Sequence, residues 1–66
     1  MMFDTLPEAV DYAKRLHSRG KVSLAEPAEI GYRREGSKVI WYVLPWRAEW
    51  PSPDYIPTTT YPTGLD

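Results

Sequence analysis

Sixty-six residues with eight basic and nine acidic side chains, one histidine and no cysteine bound what this chain can be. A single small domain is the most that this length supports, and its core is too small to enclose a sizeable substrate. A formal charge of -1 gives no general attraction to nucleic acid or an anionic membrane, and the lack of cysteine excludes disulfides and thiolate metal sites.

The opening Met1-Met2-Phe3-Asp4 has neither a basic nor an apolar leader region, so no secretory signal is expected. No apolar run approaches the length that spans a bilayer, and the chain reads as cytoplasmic with no membrane partner. Thr5-Leu6-Pro7-Glu8 then has the form of a helix start, a capping box with proline in the first turn, where its missing N–H costs nothing. Leu6, Ala9, Val10, Ala13 and Leu16 recur at helical spacing, with Glu8, Asp11, Lys14, Arg15 and Ser18 on the other side. Acidic residues come early and basic ones late, in agreement with the helix dipole, and Gly20 supplies a left-handed stop.

Beyond Gly20, residues 21–24 alternate polar and apolar, which predicts a short strand with Val22 and Leu24 inward and Pro27 as its end. Residues 29–33 form a second expected strand, with Ile30 and Tyr32 on one face. Arg34-Glu35-Gly36-Ser37 reads as a hairpin turn with Gly36 at positive φ. The return segment, residues 38–44, is the most strand-like of all, being β-branched, aromatic or aliphatic from Val39 to Leu44. It is apolar on both faces, whereas one helix covers only one face.

Five of the seven prolines fall in residues 45–66, interleaved with Trp46, Trp50, Tyr55 and Tyr61. Such a segment builds neither a helix nor the interior of a sheet. It is expected to run as turns and extended backbone, with residues 62–66 frayed. The fold class expected is α+β: one N-terminal amphipathic helix on a three-stranded antiparallel sheet, residues 1–46, followed by an irregular Pro/aromatic tail, residues 47–66. The tail packs back on the core or on a partner. Trp41 and Trp46 are expected in the core, with Trp46 and Trp50 folding over the central strand as a lid.

Chemistry-bearing constellations are absent from the pattern. His17 stands near the helix end with no triad partner in any recognisable motif, and capping or solvation explains it. Glu26 with Glu29, and Glu49 with Asp54, match neither a glycosidase dyad nor an oxygen-rich metal loop. The four glycines are too dispersed for a phosphate loop. No catalytic residue, metal or cofactor is expected, and the chain is read as a non-enzyme.

Two functional expectations follow. The first is a small protein-binding protein, an inhibitor, adaptor or accessory subunit, whose partner is another protein or complex met by Trp50, Tyr55, Tyr61, Arg47 and Tyr42. Short cysteine-free proteins of this sort are frequent among phage and mobile-element products that block a host complex, which is an association of class only. The alternative is a nucleic-acid-associated regulator whose Arg33, Arg34 and Lys38 touch phosphates from the hairpin tip. Glu35 in that turn and a single expected helix count against it. A homodimer completed through an edge strand is also open.

Overall fold

A computed structural model describes residues 1–62 as an α+β fold of one helix on one face of a four-stranded antiparallel sheet. The elements in chain order are β1 (Met2–Phe3), α1 (Leu6–Ser18), β2 (Ala28–Glu35), β3 (Lys38–Leu44) and β4 (Ile56–Tyr61). The sheet order is β1-β3-β2-β4, so the hairpin forms its centre and the two ends of the chain supply its edges. Of residues 62–66, expected to be frayed, Pro62 is half-buried in a bend directly after β4, and 63–66 lie outside the described residues.

The strand count departs from the expected three. Residues 21–24 form no strand: Val22 is buried, but Leu24 is 71% exposed, and Ser23 and Glu26 exchange backbone hydrogen bonds of 3.1 and 3.2 Å across a tight turn. Alternation over a few residues needs a neighbour to become a strand, and these residues have turned back on themselves. The edges come instead from Met2–Phe3 on β3 and from Ile56–Tyr61 on β2.

The helix forms where its local signals lie. Thr5 has an extended backbone, and its Oγ1 accepts from the Glu8 N–H at 3.4 Å. The second half of the cap differs from the standard box, since the Glu8 carboxylate accepts from the Thr5 hydroxyl at 2.9 Å. At the other end the Lys21 N–H reaches the Leu16 carbonyl at 2.9 Å and the Gly20 N–H reaches His17 at 3.0 Å. With Gly20 at φ 74° this is a Schellman termination. Ala9 and Ala13 are fully buried, their small side chains letting the helix approach the sheet closely.

The hairpin loop is Gly36-Ser37, flanked by the Glu35–Lys38 pair, and Gly36 takes φ 64°. Positive φ at the first loop residue alone is the type II′ arrangement. Pairing Ile30 with Val43 and Tyr32 with Trp41 puts these four side chains on the helix side of the sheet. There Ile30 and Val43 join Ala9, Ala13, Val22 and Ala28 in the core, with Phe3, Leu6, Val10, Leu16, Trp41 and Tyr61 packed around it.

β4 is an edge strand, which reconciles Pro57 with a sheet. Its register to β2 shifts between Ile30 and Gly31, where Thr59 and Pro57 are the successive partners and Thr58 is left over as a bulge. Pro57, the bulge and the Thr58 hydroxyl donating to the Ile56 carbonyl at 3.2 Å all blunt this edge against further pairing.

Candidate protein-binding face

The face of the sheet away from the helix carries Ile40, Tyr42 and Leu44 from β3 and Gly31 and Arg33 from β2. Its cover is the segment between β3 and β4, which two turns fold back over it. In the first, the Ala48 N–H donates to the Pro45 carbonyl at 3.2 Å, with Arg47 at φ 65°. In the second, Ser52-Pro53-Asp54-Tyr55, the Tyr55 N–H donates to the Ser52 carbonyl at 3.4 Å with proline second. The Ser52 hydroxyl steadies this turn by accepting from the Asp54 N–H at 3.2 Å.

These turns bring three rings together. Trp50 and Tyr55 stack with centroids 5.6 Å apart and planes 19° from parallel. Tyr42 meets Tyr55 edge-on at 5.2 Å and Trp50 tilted at 6.3 Å. The Arg33 guanidinium lies 5.6 Å from the centre of the Tyr55 ring, and its Nη2 donates to Glu35 Oε2 at 2.7 Å. Burial falls along β3 from Val43 and Leu44, which are buried, to Lys38 and Val39, which are exposed, so the cover reaches only the base of the strand.

Beside the three rings lies an open groove of about 540 Å³ lined by Met1, Met2, Arg33, Tyr42, Pro51, Ser52 and Tyr55. Met1 and Met2 are 59% and 62% exposed, two adjacent large apolar side chains on the groove lining. They are held there by backbone: Met2 pairs with Tyr42, and Met1 and Val43 exchange hydrogen bonds of 3.3 and 3.1 Å. Methionine is unbranched and polarisable, which suits an adaptable contact surface.

Of the residues expected to meet a partner, Trp50, Tyr55 and Tyr42 come together here. Tyr61 does not: it packs on the helix side, edge-on to His17 with centroids 5.9 Å apart. Arg47 lies on the exposed first turn, 5.9 Å from the Trp46 ring centre. One expectation for the tail needs correction: Trp46, expected in the core, is 37% exposed because the turn at Pro45 carries it off the sheet. Tyr55, for which packing on the core and contact with a partner were both open, is 8% exposed and packs on the sheet while still lining the groove. Met1 and Met2 were not singled out by pattern at all; two apolar residues ahead of a helix cap are the only signal that marks them.

The basic hairpin residues are divided. Successive side chains of a strand alternate faces, so Arg33 belongs to the groove side and Arg34 to the helix side beside Val39, with Lys38 exposed at the tip. Among the described residues no group of three or more His, Asp or Glu side chains is placed to hold a metal ion. No helix among them is long and apolar enough to cross a membrane. Compared with protein-family models, with curated proteins and with solved structures, the chain matches none.

Proposed function

We propose that this chain is a protein-binding module, a non-enzymatic inhibitor, adaptor or accessory subunit in the cytoplasm, that engages its partner through the sheet face away from the helix. The observation that carries this reading is the groove beside the Tyr42–Trp50–Tyr55 cluster. Its walls are mostly apolar, its rim offers two exposed methionines, and its rings are already ordered by one another. A preordered aromatic floor loses little conformational freedom when a second surface lands on it.

The test uses Met2→Glu, which places a charge at the rim on an exposed side chain, beside Ile56→Glu, a change of equal kind at an exposed residue of β4. Each variant is checked by circular dichroism and used as bait for proteins of the native cell. A partner kept by the wild type and by Ile56→Glu and lost with Met2→Glu supports the reading. A partner indifferent to Met2→Glu refutes the choice of face.

Contact with nucleic-acid phosphates through Arg33, Arg34 and Lys38 has less support, because Arg33 and Arg34 point to opposite faces and Arg33 is paired with Glu35. That reading requires affinity to fall linearly with salt on a log-log plot.

A further inference from the structure

We propose that the partner segment received by the groove carries an aspartate or glutamate beside its apolar side chains, and that this carboxylate takes the place of Glu35 on Arg33. The inference rests on the protein-binding reading above and adds the chemistry of the partner. Among the described residues Arg33 is the one charged side chain lining the groove and no carboxylate lines it, so an acidic group entering there meets attraction without opposing charge from them.

Arg33 is also prepared for exchange. Its guanidinium lies 5.6 Å from the centre of the Tyr55 ring, and its Nη2 donates to Glu35 Oε2 at 2.7 Å. The Nε atom is buried and has no hydrogen-bond partner among the described residues, so one donor of the five-donor fork is left over. Glu35 lies two residues further along β2, on the same side of the strand, and its side chain is 60% exposed against 30% for Arg33. An ion pair this open to water contributes little, whereas a carboxylate brought in with apolar neighbours excludes water and strengthens the bond to the fork. Glu35 therefore acts as an internal stand-in that keeps Arg33 aligned until the partner's acid arrives.

The probe is a displayed library of short random peptides, panned on the folded full chain, followed by titration of one synthetic peptide from the enriched set. The expected set combines aromatic or aliphatic residues with Asp or Glu. Arg33→Gln should weaken the peptide about tenfold or more and Arg33→Lys less, since lysine keeps the charge and loses the fork. Glu35→Gln, an exposed change, should strengthen it about threefold by removing the competitor, and amidating the peptide's acid should cost nothing further in the Arg33→Gln background.

Enriched peptides that are apolar without acid, lost with Met2→Glu and indifferent to Arg33→Gln overturn this inference and leave the groove reading standing. No enrichment over an unrelated control protein, or peptides indifferent to Met2→Glu, overturns both. Tighter binding of an oligothymidylate that depends on Arg33 transfers the site to phosphate and overturns the acidic-peptide proposal. Dimers in sedimentation that Met2→Glu abolishes make a second copy the occupant, with the same result.

Discussion

Trp50 lies directly over Gly31: a Cβ built on that glycine would stand 2.7 Å from the Trp50 Cη2 and 2.7 Å from the Ile56 carbonyl oxygen. The absence of a side chain in β2 is therefore what lets the tail close on the sheet and β4 pass alongside. The need is steric and not conformational.

Gly31→Ala should lower unfolding stability by about 1–3 kcal/mol, the usual range for overpacking. Because the indole must move to admit the methyl group, tryptophan emission of the folded variant should shift as well. Urea titration followed by fluorescence reads both quantities; an unchanged midpoint and spectrum would show that Trp50 does not occupy this place.

Gly20→Ala provides the contrast. Among the described residues nothing beyond its local backbone lies within 4 Å of a Cβ at Gly20, so the cost there comes from φ 74°, about 1 kcal/mol. The fluorescence of Trp50 should stay the same. Removing the opposite cap with Thr5→Ala should cost a similar amount, about 1 kcal/mol, and the two losses should add because the sites share no partner.

Arg47 holds φ 65°, a conformation that ordinary side chains adopt at a cost. Arg47→Gly should stabilise the fold by about 0.5–1 kcal/mol, the relief of strain exceeding the added freedom of the unfolded chain. Arg47→Val should destabilise it by about 1 kcal/mol or more. Thermal unfolding resolves these differences, since about 1 kcal/mol moves the midpoint by roughly 4–8 °C in a domain of this size.

Trp46, expected in the core, should respond as a surface residue, and Tyr55 as a core residue. Tyr55→Ala removes a buried ring from a three-ring cluster and from beneath Arg33, and should cost about 3 kcal/mol. Trp46→Ala removes an exposed ring and should cost well under that, about 0.5 kcal/mol. Equal effects in chemical denaturation would contradict the course of the segment between β3 and β4.

The legible parts of the fold are those specified within a few residues. The helix was legible because Thr5, Glu8, the apolar stripe and Gly20 act along one continuous stretch, and the hairpin because Gly36 sits between two strand-forming runs. β1 was not, since two residues, Met2 and Phe3, have no period to detect and become a strand only against Trp41 and Tyr42. β4 was obscured by Pro57 and by the bulge at Thr58, which break the alternation that marks a strand. The site followed the same division: Tyr42, Trp50 and Tyr55 stood out by residue type, whereas the methionines and the single-sided placement of Arg33 depend on strand pairing.

By itself the sequence determined one capped helix, a central hairpin whose second strand is apolar on both faces, and a tail too rich in proline for a helix or the interior of a sheet. These are local properties of backbone and side chain, set before any distant contact forms. Only the tertiary structure decided which tail rings became core and which stayed outside, because that depends on where two turns at Pro45 and Ser52 deliver them relative to a glycine fourteen or more residues earlier. Tyr55 was carried inward and Trp46 outward by that geometry, and the exposed groove with Arg33 at its side is what the incomplete cover leaves.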